Sequence, residues 1–167
     1  MDGWWQEVFG VIRGEFSDLP NIAEFTRVCV RLFMAIILGG ILGFERESAG
    51  SSAGFRTHML VALGSALFVL VPLQAGMRIE DLSRVLQGVV AGIGFLGAGA
   101  IIKQGQELEI RGLTTAASIW LTCAIGIAAG MGRETMAIVS TLFALIILLL
   151  VRVVSTPDHR GKDKTSR

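Results

Sequence analysis

The chain has 167 residues, of which 52% are hydrophobic and only 17% charged, and its mean hydropathy is +0.64. Soluble domains usually carry about 25% charged residues, so this composition disfavours a soluble domain and favours a membrane protein. The formal net charge is +1 and no basic stripe with interleaved aromatic residues is present, so we expect no nucleic-acid partner.

The first predicted element, within residues 1–26, is an amphipathic helix that lies at the membrane surface. Its apolar face carries Trp4, Trp5, Val8, Phe9 and Ile12. Tryptophan favours the level of the lipid headgroups, so we expect an interfacial helix at the outer surface. The segment lacks a basic start, an apolar h-region and a small-residue cleavage site, so we do not expect a cleavable signal peptide.

Five apolar stretches follow, each long enough to cross a bilayer. A hydrocarbon core of about 30 Å requires roughly 20 apolar helical residues, with about 17 to 25 tolerated. The predicted spans are residues 28–44, 57–77, 85–102, 112–132 and 135–151. We therefore predict an all-α membrane protein whose residues 27–154 form one compact bundle of about five transmembrane helices.

The distribution of basic residues predicts the orientation of the bundle. Five spans place the two termini on opposite sides of the membrane. With a cytoplasmic C-terminus, nine of the 15 Lys and Arg residues lie inside and six outside, which the positive-inside rule favours. Residues 155–167 are then a basic cytoplasmic tail that rests against anionic lipid headgroups.

Small residues recur at four-residue spacing in the third span, as in the pairs Gly88–Gly92 and Gly94–Ala98. In lipid, such grooves let helix backbones approach closely, so that dispersion contacts hold the helices together. We predict tight Gly/Ala-rich helix packing. The same grooves serve packing within one chain or between chains, so they do not determine the oligomeric state.

The link between the first two spans is charged at both ends. Glu45 and Arg46 end the first span, and Arg56, Thr57 and His58 begin the second. A link of this length between antiparallel helices places Glu45 within reach of Arg56. The group is interpreted as an ordinary interfacial ion pair, as a cytoplasmic recognition patch, or as an ion-regulated latch.

Two further features concern polar side chains that lie within the predicted spans. Arg31 shares a face with Arg27 and Glu24, and snorkelling to the outer headgroups accounts for it. The fourth span carries hydroxyls that bond to backbone carbonyls or neighbouring helices, or alternatively line a narrow polar path, and Trp120 among them is expected to fill a gap between helices. These hydroxyls belong to Thr114, Thr115, Ser118 and Thr122.

Signatures of catalysis are missing from the sequence. It contains no HExxH, GxSxG or P-loop motif, so we expect a protein that is not an enzyme, with no catalytic residue and no cofactor. The predicted spans carry no acidic residue, unlike those of most transporters. Glu45 and Glu47 offer oxygen ligands to Mg²⁺, but two carboxylates do not define a site, so metal binding stays open.

Four blocks of sequence, GGILGFERE (39–47), AGFRTHMLVALGSA (53–66), GIGFLGAGAII (92–102) and RGLTTAASIW followed by AIG (111–126), resemble the MgtC/SapB family of bacterial inner-membrane proteins. The resemblance covers about residues 31–132. The positions that match the family's motifs are Gly39, Gly43, Glu45, Arg46, Gly54, Arg56, Thr57, Gly92, Gly94, Gly97, Gly99, Gly112, Thr114, Thr115, Ala116 and Trp120.

The resemblance implies a bacterial inner-membrane protein with about five transmembrane helices and a cytoplasmic C-terminus. Several family members are linked to growth in low Mg²⁺ and to survival inside macrophages, and some are reported to act on the F-type ATP synthase. Many also carry a soluble, ACT-like C-terminal domain, whereas we expect only the membrane domain here.

These features lead to three functional hypotheses. The first is a non-enzymatic regulator that contacts the lipid bilayer and binds another integral membrane protein. The second is a transporter or channel for Mg²⁺ or another cation. The third is a structural protein that assembles with lipid or with itself.

Overall fold

The computed structural model describes residues 3–17, 21–101 and 111–154, with side chains described as far as Leu150. Within these residues the chain forms six helices and no strand, which confirms the predicted all-α class. The helices are α1 (Gly3–Glu15), α2 (Ile22–Ser48), α3 (Phe55–Gln74), α4 (Leu82–Ala100), α5 (Leu113–Gly130) and α6 (Glu134–Val154). The predicted basic tail, residues 155–167, lies outside the described residues.

The helices α2 to α5 are each long and apolar enough to cross a membrane. In α6 the apolar stretch of described side chains runs from Glu134 to Leu150 and is shorter, so the fifth span stays a prediction. Both ends of α3, α4, α5 and α6 lie within three residues of the predicted spans. Hydropathy therefore located the apolar helices well.

The helix α2 is longer than the predicted span at residues 28–44. Asn21, in an extended conformation, accepts a hydrogen bond of 2.8 Å from the Glu24 N–H and so caps the helix inside the segment predicted as interfacial. At the other end the helix continues through Glu45 and Arg46 to Ser48, because these two charged side chains are buried and paired rather than exposed at the membrane edge.

Two glycines bring α2 and α3 into close antiparallel contact. A Cβ atom at Gly39 would lie 2.7 Å from the His58 carbonyl oxygen, and one at Gly43 would lie 2.7 Å from the Phe55 Cα. Neither position has room for a side chain. The end of the bundle at which α2 finishes and α3 and α5 begin is called the Arg46 end, and the opposite end is called the Arg31 end.

The helix α5 packs parallel to α3 through a second pair of close contacts. A Cβ at Gly126 would collide with the Ala62 carbonyl oxygen, and one at Gly130 would lie 2.5 Å from the Ala66 carbonyl oxygen. More than half of the apolar window of α5, 56%, is buried inside the bundle, against 17% for α4. The helix α5 is therefore central and α4 is peripheral.

The helix α1 makes no contact with any other helix in the described part of the chain. It exposes Trp4, Trp5 and Phe9, and the two tryptophan rings stack with their centroids 3.9 Å apart. Its position at the membrane surface stays a prediction.

Candidate functional site

Buried polar side chains, together with the half-buried Ser51, gather at the Arg46 end of the bundle, where α2, α3 and α5 meet. We call this group the polar cluster; its members are Glu45, Arg46, Ser51, His58, Thr115 and Ser118. Burying polar groups in an apolar bundle is costly unless each finds a partner. Their hydrogen bonds therefore define the site.

Glu45 and Arg46 form a bidentate ion pair and are each only 8% exposed. Arg46 Nε lies 2.5 Å from one carboxylate oxygen of Glu45, and Arg46 Nη2 lies 2.8 Å from the other. Glu45 is thus paired with its neighbour Arg46, although the length of the link had placed it within reach of Arg56. Because α2 stays helical through Ser48, Glu45 turns into the bundle, whereas Arg56 is exposed on the first turn of α3.

His58 is fully buried and connects α3 to α5. Its Nδ1 lies 2.9 Å from the Gly54 carbonyl oxygen, and its Nε2 lies 3.1 Å from the Ser118 hydroxyl. The carbonyl can only accept, so Nδ1 donates, and in the neutral ring Nε2 accepts from Ser118. Ser118 Oγ is also 2.8 Å from the Thr115 carbonyl oxygen, so its single proton has two acceptors within reach.

A hydroxyl pair ties the α2–α3 loop to α5. Ser51 Oγ and Thr115 Oγ1 lie 2.8 Å apart. In the same loop, Glu47 accepts a 2.8 Å hydrogen bond from the Phe55 N–H and caps α3. These two contacts fix the α2–α3 loop against α5 and against the start of α3. They thereby position His58 in the first turns of α3.

The two carboxylates considered as Mg²⁺ ligands are both engaged within the chain, Glu45 by Arg46 and Glu47 by the α3 N-terminus. Among the described residues no group of three or more His, Cys, Asp or Glu side chains is arranged to hold a metal ion. Residues 1–2, 18–20, 102–110 and 155–167 are not covered by that statement.

A cavity of about 730 Å³ opens beside the polar cluster, between α2, α5 and α6. Arg46 and Ser118 line it together with mainly apolar side chains such as Leu42, Leu121 and Leu148. The Ser118–His58 contact resembles a hydroxyl activated by a base. Both side chains are almost fully buried, however, and Ser118 also bonds to its own helix, which fits a role in holding α3 against α5.

The predicted helix-packing glycines of α4 lie apart from the polar cluster. A Cβ at Gly92, Gly94 or Gly99 would meet no described atom within 4 Å, whereas one at Gly97 would lie 3.7 Å from the Ala116 Cβ. Only Gly97 therefore faces a neighbouring helix within the described chain. Whether the other three pack against a different chain stays a prediction.

The predicted residues at the start of α5 have different roles. Gly112 adopts the left-handed conformation at φ +93° and approaches the Ala100 carbonyl closely, so it forms the turn into α5. Thr114 is exposed beside the cavity, as Thr57 is exposed at the start of α3. Trp120 is 52% exposed, so it lies on the outer surface and does not fill a gap between helices.

Residues 32–156 match the MgtC family. The chain belongs to the MgtC family. Three relatives support this assignment. Protein SrpB of Synechococcus elongatus is 44% identical over 141 residues, which are 78% of this chain and 77% of SrpB. Putative magnesium transporter YhiD of Escherichia coli K12 is 41% identical over 133 residues, 75% of this chain and 60% of YhiD.

Protein MgtC of Brucella abortus is 44% identical over 120 residues, 71% of this chain and 48% of that protein. The chain thus spans less than two thirds of YhiD and about half of this MgtC protein. No solved structure matches it. The family match begins within α2 and includes the whole polar cluster, whereas α1 lies outside it. The protein is a multi-pass membrane protein of the MgtC family.

The sequence indicates Glu45, Arg46 and His58 as site residues but does not show how they are paired. Nothing in it indicates Ser51. The sequence feature that indicates the His58–Ser118 contact is a histidine at the start of one apolar stretch, combined with small hydroxyl residues along another. Such a histidine needs a buried partner in lipid. The sequence offers several hydroxyls and does not indicate which one faces the ring.

Proposed function

We propose that this MgtC-family protein is a non-enzymatic regulator that binds a transmembrane helix of another integral membrane protein along α4. The observation that carries the proposal is an open groove of about 560 Å³ between α3 and α4. Gly64 lines it from α3, and Gly88 and Gly92 line it from α4. We call this the α3–α4 groove.

The chemistry of the groove fits a helix as its occupant. A Cβ at any of the three glycines would meet no described atom within 4 Å, so within the described chain their backbones are open to a partner. Gly88, Gly92 and Gly99 lie within one narrow face of α4, since their spacings of four and seven residues are close to whole turns. Such faces let two helices approach closely in lipid, where no hydrophobic drive acts between helices.

The family provides the setting for this proposal. Some members of the family that this chain resembles are reported to act on the F-type ATP synthase. Several are linked to growth in low Mg²⁺ or to survival in macrophages. We therefore take adaptation to low Mg²⁺ as the physiological context, with virulence as one outcome of it. The protein lies in the bacterial inner membrane, with its N-terminus outside and the Arg46 end and C-terminus in the cytoplasm.

In-membrane photo-cross-linking tests the proposal. A photoreactive residue is placed at Leu96, which lines the groove and is 50% exposed, in cells grown at low and at high Mg²⁺. The matched control carries the probe at Phe143, which is 61% exposed on α6, a helix that does not contact α4. We expect one recurrent partner protein from position 96, absent from position 143 and lost on Gly92→Leu, while membrane insertion is unchanged.

Equal capture from both positions, or capture unaffected by Gly92→Leu, would contradict the proposal. Cross-links from position 96 that contain only a second copy of this chain would favour the structural-assembly hypothesis instead. Cross-links to lipid alone would also count against a protein partner.

Cation transport is the second candidate, because one relative bears the name putative magnesium transporter. Ser118 and Thr122 are almost fully buried among the packed helices, so their hydroxyl oxygens have little access to an ion that must exchange its hydration shell. Mg²⁺ flux into liposomes that hold the purified protein tests the idea. Flux that Thr115→Val abolishes would support transport, and no flux from folded protein would reject it.

A further inference from the structure

A second polar cavity lies at the Arg31 end of the bundle, far from the polar cluster. Its volume is about 260 Å³, equivalent to about eight or nine waters in the bulk liquid. It lies between the first turns of α2 and the last turns of α3. We call it the Arg27–Arg31 cavity; it is lined by Glu24, Arg27, Val28, Arg31, Leu70, Leu73 and Gln74.

Arg31 is anchored in this cavity but not fully satisfied. Its Nη1 donates a hydrogen bond of 3.3 Å to the Gly130 carbonyl at the end of α5. Its Nη2 occupies the space where a side chain at Gly132 would begin, which holds the guanidinium in place. Its Nε, however, is buried and has no hydrogen-bond partner among the described residues. A buried donor without an acceptor is unfavourable, so this N–H requires an acceptor.

The charge in the cavity favours an anion as that acceptor. Glu24 forms no ion pair with Arg27 or Arg31, since the ion pairs seen between described residues join Glu45 to Arg46 and Arg78 to Glu80. Two arginines and one glutamate therefore leave a formal charge of +1 around the cavity. Gln74 adds an amide that can donate a further hydrogen bond.

We propose that the Arg27–Arg31 cavity binds a phosphate group, carried by a phospholipid headgroup or by free phosphate. Guanidinium groups match phosphate oxygens in charge and in the spacing of their N–H donors. The helix α2 has 27 residues and a length of about 40 Å, which exceeds the hydrocarbon core of about 30 Å. Its first turns, with Glu24 and Arg27, thus reach the depth of lipid headgroups. The site is independent of the α3–α4 groove.

Native mass spectrometry of the full chain, purified in a phosphate-free detergent buffer, tests this site. The probes are dioleoyl-phosphatidylglycerol, dioleoylglycerol, which has the same tails and no phosphate, and inorganic phosphate. Arg27→Gln removes a charge from the rim, Glu24→Gln removes the opposing charge, and Arg133→Gln is the control. Arg133 is exposed at the same end of the bundle and does not line the cavity.

We expect wild-type protein to retain one phosphate-bearing probe with about tenfold higher affinity than Arg27→Gln, since a hydrogen bond to a charged group contributes about 1.5 kcal/mol or more. Glu24→Gln should bind more tightly than wild type, and Arg133→Gln should be unchanged. Both altered cavity residues lie at the rim, so folding should survive. Arg31→Lys, which keeps the charge and loses the Nε donor, should also bind more weakly.

The probes separate the two sources of phosphate. Retention of phosphatidylglycerol without competition by inorganic phosphate assigns the site to a lipid headgroup, and competition by millimolar phosphate assigns it to the free ion. Equal retention of dioleoylglycerol, an equal loss with Arg133→Gln, or weaker binding by Glu24→Gln would overturn the proposal.

Discussion

Glu45 and Arg46 are adjacent in the chain, and both side chains are buried within hydrogen-bonding distance of each other at the end of α2. A buried ion pair contributes little net stability, but removal of one partner leaves an uncompensated charge. Because both residues belong to α2, the pair does not connect two helices; each side chain instead neutralises the buried charge of the other. This property distinguishes it from an exposed interfacial pair.

We predict that Glu45→Gln and Arg46→Gln each lower the free energy of unfolding by about 3–5 kcal/mol, because each leaves the other residue unpaired. The double variant should lose much less than the sum of the two. Reversible unfolding in mixed detergent–SDS micelles measures all three. Thr57→Ala, at an exposed position outside the pair, serves as control and should be neutral. Additive losses would contradict a buried pair.

The His58–Ser118 hydrogen bond leads to a second prediction at the residue scale, which concerns the energetic coupling of these two side chains. In a double-mutant cycle of His58→Ala and Ser118→Ala, we expect a coupling energy of about 0.6 kcal/mol, the average for such bonds in membrane bundles. The control cycle pairs His58→Ala with Thr122→Ala, whose hydroxyl donates to the Ser118 carbonyl of its own helix. That control should show no coupling, and equal coupling in both cycles would refute the assignment.

At the scale of the helices, glycines of similar appearance have different surroundings. Gly126 of α5 touches the backbone of α3, whereas Gly92 of α4 faces open space within the described chain. A four-residue spacing of small residues predicts a groove in both cases. Only the packing of α5 between α2, α3 and α4 shows which groove is already filled.

Replacement of glycine by alanine should therefore have different effects on stability at Gly126 and at Gly92. Gly126→Ala should destabilise the bundle by at least about 1–3 kcal/mol, because the added methyl collides with the Ala62 carbonyl. Gly92→Ala should be neutral or stabilise by up to about 1 kcal/mol, because alanine is the better helix former and nothing lies nearby. Unfolding of the purified variants measures both effects. If Gly92→Ala lowered the free energy of unfolding as much as Gly126→Ala, another helix would have to be packed against α4 at Gly92.

At the scale of the whole molecule, the bundle of α2 to α6 and the helix α1 are separate in their contacts. The family match also begins within the bundle, at residue 32 of α2, and excludes α1. The bundle supplies the polar cluster, the α3–α4 groove and the Arg27–Arg31 cavity. The helix α1 contributes exposed apolar surface, which suits attachment to a membrane rather than support of the bundle.

Deletion of residues 2–17 should therefore leave the unfolding free energy of the bundle within about 0.5 kcal/mol of the intact protein, the usual range for changes that remove no packed contact. A peptide of residues 1–17 should bind vesicles, and replacement of Trp4 and Trp5 by serine should weaken that binding. A strongly destabilised bundle would show that α1 packs against it, and a peptide indifferent to vesicles would reject the interfacial position.

The sequence by itself determined the membrane class, the all-α fold, the approximate helix ends and the family. These properties follow from hydropathy, segment length and local motifs, which are readable along the chain without knowing its neighbours. It also named Glu45, Arg46 and His58 as members of one polar region.

Only the tertiary structure decided how these residues are paired and which small-residue faces are open. The link between the helices places Glu45 within reach of Arg56, but α2 continues beyond the predicted end of its span and turns Glu45 inward, where it pairs with Arg46. Trp120 was expected between helices and lies on the surface, because the glycines of α5 face α3 and leave the indole on the outer side. Spacing along a helix shows which residues share a face, but the neighbour of that face depends on how all the helices assemble.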